Sequence, residues 1–136
     1  MTEADVIQPS ASVASTGKGI RYIGQHCYAM SGPVTDEGSE SAATTCLDFT
    51  TGSGYILATI AYASNSAHST QDEFVDISFN GESVWAPRYD KSEAATNDQP
   101  FEILIPPQTR FIFKWGLDSN HREMSVILTG RVYGAD

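Results

Sequence analysis

The last third of the chain consists of short segments in which apolar and polar residues alternate, separated by tight breaks. Residues 101–105 and 109–116 flank a pair of prolines, and residues 123–133 follow one polar loop. A period of two residues is typical of a β-strand with one buried face, and proline is excluded from the middle of a sheet. This part of the chain is therefore predicted to form three antiparallel strands, with Trp115 on the buried face.

The same pattern begins near Ile20, and Gly, Pro, Asn and Ser residues separate the segments throughout. No interval has the apolar spacing of an amphipathic helix. Many short strands with regular turns indicate an all-β fold, an antiparallel two-sheet β-sandwich, and eight strands is the number found in a jelly roll. The predicted strands are residues 20–30, 44–50, 54–64, 73–79, 82–86, 101–105, 109–116 and 123–133.

The length of 136 residues accommodates one domain, which we assign to residues 20–136. Residues 1–19 are rich in Ser, Ala, Thr and Gly and show no periodicity. They are predicted to form an N-terminal arm, either frayed or extended over a neighbouring subunit.

The chain is acidic, with 17 Asp and Glu residues, 8 Lys and Arg residues and a formal net charge of -9. The basic residues are scattered singly, which argues against nucleic acid or an anionic membrane as a partner. The N-terminus lacks the features of a signal peptide, and no segment approaches the roughly 18 apolar residues of a membrane span. We therefore expect a protein that is made in a cytoplasm.

Two cysteines, Cys27 and Cys46, fall on segments predicted to be neighbouring strands. Because structural disulfides are rare in a cytoplasm, we expect both to be small buried thiols. A disulfide between them is the alternative, since the spacing permits one.

The clearest local signal is the dipeptide Asn80-Gly81, which favours a two-residue hairpin turn with positive φ at both positions. Such a turn places Phe79 opposite Glu82. Strict alternation from that pair predicts that Trp85 points away from the more apolar face of the hairpin.

The third predicted strand is apolar on both faces. Tyr55, Leu57 and Ala61 lie on one face, and Ile56, Ala58, Ile60 and Tyr62 lie on the other. An antiparallel sandwich strand normally has one wet face, so the outer face of this strand is expected to be covered. Either another subunit or a long loop such as residues 31–43 would cover it. Together with Trp85 and Tyr89 near the hairpin, Tyr55 and Leu57 are the candidate interface residues.

No combination of residues carries a signature of catalysis, and we expect no catalytic residues, no cofactor and no metal. His68 lies near Ser69 and Asp72, the residue types of a hydrolase triad, but the chain has no Gly-x-Ser-x-Gly elbow. The three histidines lack zinc-site spacing. Acidic clusters at residues 36–40 and 72–76 do not follow the calcium-binding EF-hand pattern, and are expected to be solvated loops.

Three short segments, residues 47–55, 103–109 and 128–134, are similar to small β-sandwich virion proteins of tailed bacteriophages. The resemblance implies a capsid decoration, or cement, protein, which is added to the mature shell and clamps neighbouring capsid subunits. The implied partners are the major capsid protein and further copies of the chain, commonly as a homotrimer. The implied location is the capsid surface of the virion. The family has no shared catalytic motif.

A tail-fibre or receptor module that binds carbohydrate is the alternative function. In that case Trp85 and Tyr89 would stack on a sugar ring. The same two residues could anchor a protein interface, because Trp and Tyr dominate binding hot spots, and we favour the interface.

Overall fold

The computed structural model describes residues 19–35, 44–64, 73–89, 100–117 and 123–134. Nearly all of the arm predicted at residues 1–19 lies outside the described residues. Within them the protein is all β, with eleven strands and no helix. The strands are β1 (Arg21–Ile23), β2 (His26–Met30), β3 (Val34–Thr35), β4 (Thr44–Thr50), β5 (Tyr55–Ser64), β6 (Glu73–Phe79), β7 (Glu82–Trp85), β8 (Arg88–Tyr89), β9 (Phe101–Ile105), β10 (Arg110–Leu117) and β11 (Glu123–Tyr133).

The strands form two antiparallel sheets, which confirms the predicted two-sheet sandwich. The six-stranded sheet has the order β1-β2-β11-β5-β9, and β3 also pairs with β11. The five-stranded sheet has the order β4-β10-β6-β7, and β8 also pairs with β6. In both sheets the longest strands lie in the middle, so their inner faces supply most of the core.

The strand predicted at residues 20–30 is in fact two strands. Gly24, with a φ of 59°, lies in the turn that joins β1 to β2, and Ile23 pairs with His26 across it. Glycine adopts positive φ without the steric penalty of a Cβ atom, so it permits a turn that the alternation of the flanking residues conceals. The two-residue strands β3 and β8 were too short to leave a periodic signal.

The hairpin at Asn80-Gly81 is confirmed, with φ values of 54° and 88° and with Phe79 opposite Glu82. However, a shift in register between Ile77 and Ser78 disrupts the alternation. A β-bulge of this kind sets two residues of one strand against one of the other, so every later side chain of the strand changes face. The predicted outward orientation of Trp85 is therefore wrong.

Aromatic side chains from both sheets meet in the core. Phe49 and Phe111 stack at 4.9 Å between ring centres, and Tyr62 of the other sheet meets Phe113 edge to face at 5.8 Å. Such pairs contribute about 0.5–1.5 kcal/mol each beyond the area that they bury. Trp115 is fully buried, as predicted.

Both cysteines are buried and neither forms a disulfide, as expected, but they lie in different sheets and not on neighbouring strands. Burial raises the pKa of Cys27 to about 12, because desolvation disfavours the thiolate. Cys27 is therefore protonated at physiological pH and acts as a small apolar core residue. The other thiol, Cys46, has its sulfur 3.9 Å from the Met124 sulfur across the sandwich.

Candidate interaction surface

The outer face of the five-stranded sheet carries polar pairs. Arg110 donates two hydrogen bonds to the buried carboxylate of Asp48, from Nε to Oδ1 at 3.0 Å and from Nη2 to Oδ2 at 2.8 Å. This pairing raises the pKa of Arg110. The Ser83 hydroxyl donates to Asp76 at 2.8 Å. A face with such groups is suited to contact with water.

The outer face of the six-stranded sheet is far more apolar. Among the described residues, every exposed large hydrophobic side chain except Val84 belongs to this face. They are Ile23, Met30, Tyr55, Leu57, Leu104, Ile127 and Tyr133. Clustered exposure of this kind marks an interaction surface, whereas single exposed hydrophobic residues are normal.

One group of these residues, which we call the Tyr-Leu patch, consists of Tyr55, Leu57, Leu104 and Tyr133. Strand pairing places Tyr133 beside Tyr55 and Leu57 beside Leu104. Leu57 is 40% exposed and Leu104 is 55% exposed, so both present apolar area that a partner could cover. Tyr55 and Leu57 were predicted on the outer face and lie there; Leu104 and Tyr133 were not predicted.

A basic residue borders the Tyr-Leu patch. Arg131 lies opposite Leu57 on β11, and its guanidinium carbon is 5.8 Å from the centre of the Tyr133 ring. Its Nη2 donates to Gln25 Oε1 at 3.2 Å. These contacts hold an exposed cation beside the apolar side chains, which is the composition of a protein-binding hot spot.

A shallow hollow of about 410 Å³, which we call the Met30 depression, lies further along the same face. Met30, Ile127 and Ala61 form one row across three neighbouring strands. Ala63 and Ser125 form the next row. Because three of these five side chains are small, they leave a hollow beside the bulkier Met30 and Ile127.

Trp85 occupies the edge of the sandwich and not an exposed face. It lies opposite Ile77, is half-buried, and its ring centre is 4.3 Å from that of Phe101 in β9. The contact joins an edge strand of one sheet to an edge strand of the other. The second residue of the predicted sugar platform, Tyr89, lies in β8, where its backbone pairs with Glu73.

This position predicts a structural role for Trp85. Trp85→Ala should lower the free energy of unfolding by about 2 kcal/mol, less than the roughly 3–5 kcal/mol for a fully buried aromatic residue, because the indole is half-buried. Urea denaturation monitored by circular dichroism measures the change in the free energy of unfolding. The neighbouring exposed residue supplies the control, since Val84→Ala should change stability by less than about 0.5 kcal/mol. Unchanged stability in the Trp85 variant would contradict this role.

The residues considered for chemistry are mostly outside the described part of the chain, including His68, Ser69, Asp72, His121 and the cluster at residues 36–40. His26 is exposed on β2. Within the described residues, no group of three or more His, Cys, Asp or Glu side chains could hold a metal ion. Nor does this part of the chain contain a helix that is long and apolar enough to cross a membrane.

A scan against protein-family models and a search of curated proteins found no match to this chain.

Proposed function

We propose that this protein is a structural component of a tailed-bacteriophage virion, a decoration protein that binds across major capsid subunits at the capsid surface. The observation that carries the proposal is the apolar outer face of the six-stranded sheet, which leaves large hydrophobic side chains in water. Covering that face against a shell would remove them from water. The role is structural and requires no catalytic group.

We further propose that the sandwich is a jelly roll. Leaving out the short strands β1, β3 and β8, eight main strands remain. The first of these pairs with the eighth, the second with the seventh, the third with the sixth and the fourth with the fifth. A long antiparallel hairpin with its tip at Asn80-Gly81 would give this nested order when rolled into two sheets. Jelly rolls recur in viral capsid and lectin domains.

The Tyr-Leu patch is the part of the face that we assign to the shell. It combines two tyrosines, two leucines and the adjacent Arg131, and interface cores are enriched in Tyr and Arg and depleted of acidic residues. A specific contact of standard size buries about 800 Å² on each partner. Repeated at many positions on a shell, even a modest contact of this kind would stabilise the capsid.

Co-sedimentation with empty shells of the same virus tests the assignment. Wild-type protein should pellet with the shells. Leu57→Ser should weaken binding about tenfold or more, because burying a leucine side chain contributes roughly 1.5–3 kcal/mol. Val84→Ser is the matched control, since it makes the same kind of change at an exposed residue of the opposite sheet. Wild-type protein that does not bind shells, or equal losses in both variants, would contradict the proposal.

A carbohydrate-binding tail or receptor module is the second candidate. The side-by-side tyrosines Tyr55 and Tyr133 favour it, because exposed aromatic rings on a flat sheet can stack on sugars. They replace the platform first predicted at Trp85 and Tyr89. Glycan-array binding that is lost in Tyr133→Ala but kept in Leu57→Ser would support this candidate over the decoration protein.

A further inference from the structure

The outer face of the six-stranded sheet is nearly neutral, although the whole chain carries a net charge of -9. Among its described residues, the exposed side chains of Arg21 and Arg131 offset those of Glu102 and Glu123. Two acidic copies repel each other over most of their surfaces. A neutral apolar face is the surface on which that repulsion is weakest.

The charges on the central strand β11 are placed symmetrically about Ile127, which lines the Met30 depression. Glu123 and Arg131 both point outward from this strand, eight positions apart, which corresponds to about 27 Å. Ile127 lies midway between them, and pairs with Met30 on one side and with Ala61 on the other. A two-fold axis at Ile127 would therefore exchange the acidic and the basic end of the strand.

We infer that two copies of this chain bind face to face through the Met30 depression, related by a two-fold axis that lies between the two sheets, passes over Ile127 and runs perpendicular to β11. This axis sets Ile127 against its own counterpart. It also sets Glu123 of each copy opposite Arg131 of the other, so two ion pairs form. A contact of this type is isologous and closes at two subunits, the commonest symmetry of soluble oligomers.

A two-fold axis in the other direction is less favourable for the charges on the central strand. A two-fold axis parallel to β11 would place Arg131 against Arg131 and Glu123 against Glu123, and like charges in contact destabilise an interface. The small side chains of Ala61, Ala63 and Ser125 allow the two sheets to approach to the usual separation of about 10 Å. The charges on β11 thus favour the axis perpendicular to the strand, and the small side chains leave room for the contact.

The expected contact is small. The overlap covers about three strands spaced about 4.8 Å apart over about 27 Å, a footprint of roughly 400 Å² on each copy. This is about half of a standard interface, so the dimer should be reversible, with a Kd in the micromolar range. Tyr55 and Tyr133 lie beyond the Arg131 end of the overlap, and Leu104 lies on β9 outside it, so these three residues of the Tyr-Leu patch remain accessible. The dimer goes beyond the proposed function and does not depend on it.

Charge reversal tests the ion pairs between Glu123 and Arg131 of the two copies. Sedimentation equilibrium at protein concentrations from about 1 to about 500 μM measures the mass in solution. Wild-type protein should approach twice the chain mass of 14.7 kDa at high concentration. Arg131→Glu and Glu123→Arg should each weaken the dimer at least tenfold, and the double variant should restore it. The control is the double reversal Arg21→Glu with Glu102→Arg on the same face, which should leave the dimer unchanged.

Circular dichroism confirms that each variant is folded before its mass is interpreted. Wild-type protein that keeps the single-chain mass at every concentration would overturn the inference, as would a trimer of the kind that the virion resemblance implies. So would single reversals without effect, or a double reversal that fails to restore the dimer. No shells are present in this experiment, so its outcome is separate from that of the shell-binding test.

Discussion

Gly130→Ala is expected to lower the free energy of unfolding by about 3 kcal/mol, the upper part of the range for overpacking a well-ordered interior. A Cβ atom at this position would lie 2.8 Å from Ile56 Cγ2, 2.9 Å from the Leu57 carbonyl oxygen and 3.2 Å from Ala58 Cα. Two of these three atoms are backbone. Relief of the clash therefore requires β5 and β11 to separate, which strains the pairing at the centre of the sheet.

Urea denaturation measures this effect, and the adjacent Thr129→Ala is the control. Thr129 is exposed on the same strand, so its substitution should change stability by less than about 1 kcal/mol. Because β11 pairs with both β2 and β5, the glycine variant should also be less compact. A Gly130→Ala protein within about 0.5 kcal/mol of the wild type would show that the two strands are not held at this distance.

Thr51→Val should lower the free energy of unfolding by about 2 kcal/mol, because it removes a hydroxyl that bonds to two backbone groups. Thr51 Oγ1 donates to the Pro106 carbonyl at 2.8 Å and accepts from the Thr109 amide at 2.9 Å. Thr51 and Thr109 are both buried. Valine keeps the shape of threonine but leaves the buried Thr109 amide unpaired.

The cause of this loss can be isolated by Thr51→Ser, which keeps the hydroxyl and removes only a methyl group. Chemical denaturation should place the serine variant within about 1 kcal/mol of the wild type. The hydroxyl links the loop after β4 to the turn between β9 and β10, so its loss should loosen one end of the sandwich. Equal stability of the valine variant and the wild type would contradict this linking role.

Local sequence signals predicted most of the individual strands. Alternation identified the long strands, and Asn80-Gly81 identified the hairpin, because each signal depends on neighbouring residues alone. The turn at Gly24 and the bulge beside Ile77 escaped prediction, since neither interrupts the apolar pattern of the flanking residues. The bulge explains why the orientation predicted for Trp85 was wrong.

The interaction surface was only partly predictable from sequence. Tyr55 and Leu57 stood out because β5 is apolar on both faces. By contrast, Leu104, Ile127 and Tyr133 are single outward hydrophobic residues on strands that otherwise alternate normally. Only the strand order β2-β11-β5-β9 gathers them on one face. Strand order depends on contacts between residues distant in sequence, so no local pattern could have revealed that these side chains share one face.

Hydroxyl-radical footprinting read by mass spectrometry tests most directly whether this face is buried on assembly. Sulfur and aromatic side chains oxidise readily when exposed, so Met30, Tyr55 and Tyr133 are suitable probes. We predict that Met30 becomes protected at high protein concentration and that the two tyrosines become protected on empty shells, while Val84 stays equally reactive throughout. Unchanged oxidation of all three probes in the presence of shells and at high concentration would contradict the account.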